Sequence, residues 1–341
     1  MGRIVSVALC FGATLFTGCA GQSSVTPPGA TVPAAAATQR TAARLPWLAT
    51  RLLARPDAAH SWMTPDAKKR ALVYVSDDTT YDVYVFTYPQ GKLAGTLTGF
   101  SAPGGLCSDS KGDVFIPNAL GSTILEYAHG GANPIATFND RQGAYPGSCD
   151  VNPITGELAV ANTGSGNPTR PGDIAIFRGA SGTPSFYKVM GHPYSCAYDP
   201  AGNLFVDGED VSFDNFAFGE LKALRKGYHK IVLNQPISLA GGVAWDGTSV
   251  AVGDVYNAVI YRFSVGGSNG NLTGSTPLSG AVATWQFDLD RGRTVVPNSN
   301  TQDESASAVL RYSYPSGGAA LKTFGGGIVS NPVGAAISRP Q

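Results

Sequence analysis

The chain repeats itself. A glycine followed by an apolar run recurs at Gly112 (GDVFIPN), Gly156 (GELAVAN), Gly202 (GNLFVDG), Gly247 (GTSVAVGD) and Gly292 (GRTVVPN), at intervals of 44, 46, 45 and 45 residues. An earlier copy begins near Arg70 (RALVYVSD), so six units occupy about 270 of the 341 residues. A repeat of this length is one supersecondary unit that buries its apolar faces only by stacking on its neighbours. Each unit opens with a small-residue stretch such as PGGLCSD, PYSCAYD or AGGVAWD, and the glycine-led strand comes next. A third strand ends on an aromatic at Phe86, Tyr127, Phe177, Phe263 and Tyr312, while unit four breaks the pattern with LKA at Ala223. A Gly/Pro-rich turn and a short fourth strand complete the unit. Four short strands in about 45 residues describe a propeller blade.

The two ends of the repeat complement each other. PVGAAI (332–337) is a first strand with no second, and LVYVSD (72–77) is a second strand with no first. Pairing them in one blade satisfies both backbones and removes an exposed edge. The expectation is an all-β, six-bladed propeller of four-stranded blades over residues 70–341, closed by that shared blade. Composition agrees. With 43 glycines and only 14% charged residues, against about 25% charged in an average domain, the chain is neither a coiled coil, a helical bundle nor an acidic disordered polymer.

The pattern P-x-G-x-x-x-D-x-x-G-[ND]-[LV]-[FY]-[VI]-x-[DN], clearest over 193–207 and 103–118, resembles NHL-type propellers and, more loosely, their gluconolactonase-like relatives. The resemblance covers residues 70–341 and implies architecture more than activity, because such propellers include enzymes, sensors and scaffolds. Combined with the N-terminus, it points to a family of bacterial envelope lipoproteins built this way.

The N-terminus reads as an address. A positive start (Met1, Gly2, Arg3) precedes an apolar run over 4–16, the length of a signal-peptide core and shorter than the ~20 residues that span a bilayer. LFTGC (15–19) resembles a lipobox, with cleavage after residue 18 and lipidation of Cys19. Phe16 departs from the usual aliphatic residue, and Ala20 resembles outer-membrane sorting. A secreted or periplasmic soluble protein is the alternative. Residues 19–44 are rich in Ser, Thr, Pro and Ala and read as a disordered tether. Residues 45–69 read as a linker with a short helix in LPWLATRLLAR (45–55). Residues 1–70 hold eight Lys/Arg against two Asp/Glu, so the body that follows is acidic. It lacks the clustered basic face that nucleic acid requires.

Candidate sites follow from the topology, since strands alternate in direction. Loops after second strands and loops entering first strands share one face. A ring of Asp77, Asn118, Asn162, Asp207, Asp254 and Asn298 stands there, one per blade. Asn118, Asn162, Asp254 and Asn298 are candidate calcium donors, but recurrence in every blade favours closure of turns onto backbone N–H groups. The gluconolactonase resemblance implies a central ion held by Glu, Asn and Asp at the channel mouth. None of the first strands opens on a carboxylate, and Asp109, Asp199, Asp246 and Asp288 fall at the opposite end. Blade four carries an irregular stretch, DGEDVSFDNFAFGEL (207–221). There Asp207, Glu209, Asp210 and Asp214 beside Phe213 and Phe216, with His192 nearby, form a candidate ligand site of carboxylates and aromatics. The alternative is a longer loop packed on the blade edge. His129 and His229 fall in turns of the far face.

With Cys10 removed and Cys19 lipidated, Cys107, Cys149 and Cys196 remain. Cys149 and Cys196 occupy matching places on neighbouring first strands and read as buried thiols or a bridged pair, while Cys107 is one step out of phase and reads as unpaired. The resulting expectation is a monomeric, non-catalytic binding scaffold without a cofactor. Anchored in the bacterial envelope, it recognises an envelope protein or glycan through its loop-rich face. The alternative is a metal-dependent lactonase, esterase or lyase using calcium at the same face.

Overall fold

The computed structural model describes residues 60–164, 170–179, 182–223, 227–300 and 302–341. The signal peptide, Cys19, the tether and the expected helix over 45–55 lie outside the described residues. Six sheets form six blades, each with four core strands paired antiparallel, and blade 5 adds two short strands that pair in parallel at its outer edge. Blade 1 is closed as the ends of the sequence require: Pro332–Ser338 is its inner strand and pairs with Leu72–Asp77, from Leu72 opposite Ser338 to Asp77 opposite Pro332. Val83–Thr87 and Leu93–Leu97 follow, and Trp62–Met63 adds a fifth strand on the outer edge. The C-terminal end of the expected linker is thus part of the blade.

The inner strands of blades 2 to 6 are Cys107–Ser108, Pro146–Val151, His192–Tyr198, Ala240–Trp245 and Asp288–Asp290. Second strands are mostly apolar and end on polar residues, and they are buried because both faces of every blade are covered by neighbours. Leu72–Asp77, Val114–Asn118, Leu158–Asn162, Leu204–Glu209 and Val250–Asp254 are buried at every residue. The core accordingly divides into six clusters, one at each interface between blades. The aromatic that ends each third strand packs toward the preceding blade, as Phe177 does against blade 2. Blade 4 keeps this arrangement two residues before Ala223. Its third strand is Phe216–Leu221, and Leu221 occupies the aromatic's place, opposite Leu204 and buried against blade 3.

The repeated glycine has a conformational cause. Gly112, Gly156, Gly202 and Gly292 have φ of 85°, 70°, 81° and 78° in the turn between inner and second strands, a region that costs other residues a steric clash with Cβ. A carboxylate upstream closes the same turn. Asp199 accepts from the backbone N–H groups of Ala201 and Asn203 at 2.9 and 2.8 Å, and Asp109 does so for Lys111 and Asp113. Asp288 departs from this expectation. It lies within the inner strand of blade 6 and accepts from the N–H of Ile337 at 2.7 Å. His229 also differs, lying in the outer strand Tyr228–Lys230.

The cysteine expectation is corrected. Cys107 and Cys149 form the disulfide, with Cα atoms 5.6 Å apart, and Cys196 is a free, buried thiol. Glycine is the physical reason. The N–H of Gly105 donates to the carbonyl of Gly147 at 2.6 Å, so the inner strands of blades 2 and 3 touch backbone to backbone. A Cβ on Gly104 would lie 2.3 Å from the same carbonyl oxygen. Two residues further along each strand, the same offset brings the two sulfurs together. Cys196 instead turns its Sγ toward the carbonyl of Ala159 in blade 3.

Candidate channel-mouth site

The loops between second and third strands, with those entering the inner strands, make one end of the propeller, here called the upper face. The ring expected there is present in five blades, and in four of them it holds the loop that enters the inner strand. Asn118 accepts from the N–H of Ser101 at 2.5 Å, and Asn298 from Val282 at 2.6 Å. Asp254 accepts from the N–H of Ser238 and from Asn257. Asp77 takes four N–H groups, those of Thr79, Thr80, Ser330 and Asn331. Asn162 donates to Asp173 at 3.0 Å, which pairs with Arg141 at 2.6 Å. The oxygens of Asp77, Asn118, Asp254 and Asn298 are thus engaged within the fold, whereas Asn162 Oδ1 is buried without a partner. Among the described residues, no group of three or more His, Cys, Asp or Glu is placed to hold a metal ion.

Asp207 does not belong to this ring. It faces Ser195, whereas Gly208 faces Pro193, the position that Asn162 occupies opposite Pro146. One residue of register turns a strand side chain to the other face. Asp207 therefore points into the interface with blade 5. There Oδ2 accepts from the N–H of Gly242 at 3.2 Å, and Oδ1 is buried without a partner. Burial pushes its pKa up to about 7 against the hydrogen bonds from Gly242 and Ser195. Counting from the repeated glycine shows the slip: Asn118, Asn162 and Asn298 stand six residues after theirs, and Asp207 five after Gly202.

The rest of the blade-four stretch separates into distinct roles. Glu209 accepts from the hydroxyl of Tyr194 at 2.7 Å. Asp210 closes the hairpin loop. Its burial opposes ionisation, but bonds from Asn215, Ser212 and Asp214 outweigh this and hold it below the ordinary carboxylate range. Phe213 adopts a φ of 60° and lays its ring on His192, with centroids 3.5 Å apart, and stacking offsets a backbone cost of about 1–2 kcal/mol. His192 is fully buried and bonded through Nδ1 to the carbonyl of Thr163, and burial lowers its pKa. Phe216 joins a parallel row with Phe218, Phe205 and Trp245 in the core between blades 4 and 5. Asp214 is exposed. Of the candidates, His192 and Phe213 are in direct contact, and the carboxylates do not converge on one point.

What does converge is the channel. Gln286 spans it from blade 6: Oε1 accepts from the N–H groups of Leu106 and Ala335 at 2.8 and 3.2 Å, and Nε2 donates to the carbonyl of Leu106 at 2.6 Å. This brace divides the channel into two vestibules. The lower one, about 350 Å³, is bordered by the disulfide, Trp245, Asp150 and Asp288. Burial pushes Asp150 up to about 7 and Asp288 up to about 6, and the charge of Asp288 adds to the shift of Asp150. The upper one, about 130 Å³, has walls of glycine and proline with Tyr145, Tyr194 and Trp285 around them and Asp78 at one side. Ser148 lines it as well. That residue is 2% exposed, and its Oγ has no hydrogen-bond partner.

Charge is distributed unequally between the two ends. Upper loops carry Asp78, Asp82, Asp140, Asp210, Asp214, Asp303 and Glu304, while their cations among the described residues are Arg141, Arg170 and Lys188. At the lower end Lys68, Lys69, Lys92, Lys111, Arg178 and Lys222 stand among Asp109, Asp113, Glu157, Asp199, Asp246 and Asp290, so the excess of acid is confined to the upper loops. Neither Gln286 nor the aromatic wall was legible in the sequence, because side chains that differ from blade to blade carry no repeat signal.

The chain matches no protein-family profile and no curated protein. It is similar in structure to a chain of a nidogen/laminin complex, with a TM-score of 0.63 and 12% identity over 80% of this chain and 99% of that one. It is also similar to a functionally unknown protein from Desulfotomaculum acetoxidans DSM 771, with a TM-score of 0.56 and 12% identity over 79% and 99%. These likenesses establish the six-bladed propeller fold.

Proposed function

We propose that the chain is a non-catalytic binding module that engages its partner through the upper face. Lipidated at Cys19, it is anchored in the bacterial envelope, and the partner is an envelope protein rather than a glycan. The observation that carries the reading is the upper vestibule: a cavity bordered by Tyr145, Tyr194 and Trp285, with Gln286 on its inner side, on the face that bears the unequal loops. Rigid scaffolds place recognition on such loops, and a cavity with aromatic walls and few polar groups is the usual form of a recognition pocket. The fold fits a protein-binding scaffold, and one structural neighbour is part of a protein complex. The metal-enzyme reading finds little support, since the ring oxygens of Asp77, Asn118, Asp254 and Asn298 are committed to backbone N–H groups.

A photo-crosslinking side chain at position 145, on the upper face, is expected to give a discrete protein adduct in intact cells, and Trp285→Ala is expected to remove it. The same group at Lys111, on the lower face, is expected to give none. Adducts only from position 111 would overturn the assignment of the face.

A further inference from the structure

We propose that the upper vestibule receives a primary alkylammonium, the side chain of a lysine presented by a basic partner. This rests on the upper face being the binding face and adds the chemistry of what enters it. Three observations point the same way. The wall contains Tyr145, Tyr194 and Trp285, and aromatic faces attract a cation through their quadrupole while packing against an alkyl stem. Negative charge surrounds it: Asp78 lines the cavity, Glu209 holds the hydroxyl of Tyr194, and the outlying loops carry Asp82, Asp210 and Asp214. Such a field concentrates cations at a concave mouth and raises their rate of arrival.

The third observation lies in the wall. Ser148 Oγ is buried and unpartnered, an arrangement that costs free energy unless a ligand completes it. It adjoins the space left by Gly105, where an added Cβ would meet Ser148 Oγ at 2.9 Å and the Gln286 amide at 3.0 Å. A lysine ammonium has three N–H donors and no acceptor, so it satisfies Ser148 without needing a base in the wall. The size of the cavity, about 130 Å³, admits one side chain and not a folded segment. An anionic or acetylated group would forgo the surrounding field, and a carboxylate would be repelled by it.

The test uses the purified protein and three forms of one probe, acetyl-Gly-X-Gly-amide with X as lysine, Nε-acetyl-lysine or glutamate. Binding is read by the change in tryptophan fluorescence, with Trp285→Phe as the control for the signal. The lysine peptide is expected to bind saturably and at least tenfold more tightly than the acetylated one, with an affinity that falls as salt rises. The glutamate peptide is expected to give no saturable change. Ser148→Ala is expected to weaken lysine binding several-fold, and Gly105→Ala, which fills the space beside Ser148, to do so more strongly. Thermal melts of both variants establish that they fold.

Equal binding of the lysine and acetyl-lysine peptides, lost in Gly105→Ala, would overturn the ammonium assignment while leaving the upper face as a binding face. No saturable response to any of the three would overturn the assignment too, and the adduct at position 145 would then decide separately whether that face binds a partner. Lysine binding that Gly105→Ala and Ser148→Ala leave unchanged would place the cation elsewhere and overturn the proposal.

Discussion

Replacing Asp207 by asparagine changes how stability depends on pH, in a direction the structure fixes. The carboxyl is fully buried between blades 4 and 5, with one oxygen bonded to the N–H of Gly242 and the other without a partner. Burial pushes its pKa up to about 7, whereas an aspartate in the unfolded chain titrates near ~3.9. Between those values the native state keeps a proton that the unfolded chain has released. Stability from this group is therefore greatest below the unfolded pKa, falls as pH rises toward 7, and levels off above it. The full difference corresponds to about 4 kcal/mol, of which about 3 kcal/mol falls between pH 4.5 and 8. Asp207→Asn keeps the shape and the acceptor for Gly242 and does not ionise. In urea unfolding of parent and variant at both pH values, the stability of the variant relative to the parent is expected to be about 3 kcal/mol more favourable at pH 8 than at pH 4.5. Asp150 and Asp288 are also raised, so the parent loses further stability over this range, but they act equally in both proteins and cancel in the difference. A difference that does not move with pH, or a variant that loses ground at pH 8, would refute the reasoning.

Removing the disulfide with the double variant Cys107→Ala and Cys149→Ala releases a loop of sequence separation 42 and is expected to cost about 4 kcal/mol of stability on the chain-entropy account, read as a lower urea midpoint. An unchanged midpoint would show that backbone contact between blades 2 and 3 suffices. Calcium is expected to leave the melting curve where EDTA leaves it. A bound ion at a hundred times its dissociation constant would add roughly 2.7 kcal/mol, and a rise of that order would return the upper ring to consideration as a metal site.

The repeat was enough to specify the blades, their number and their closure. Gly112, Gly156, Gly202 and Gly292 mark turns that need a positive φ, and the unmatched strands at the two ends of the repeat pair with each other. These features are local or periodic, so a reader of the sequence meets them repeatedly. Blade 4 shows where periodic reading slips. Asp207 continues the ring by residue type, yet one residue of register sends it into a buried interface while Gly208 faces Pro193. The irregular stretch after it was visible as an anomaly, but its division into a turn-closing Asp210, a ring-stacking Phe213 and a core-filling Phe216 depends on which faces the strands present.

The sequence by itself determined the architecture, because strand period, turn chemistry and unit length are properties of neighbouring residues. Tertiary structure alone decided the cysteine pairing and the channel. Cys107 meets Cys149 only because Gly105 and Gly147 let two inner strands touch. Gln286 bridges to Leu106 and Ala335, residues far from it in sequence. Tyr145, Tyr194 and Trp285 share a cavity only after six blades have closed around one axis. Closure brings together residues from unequal loops, and no local pattern in the chain records where their side chains will meet.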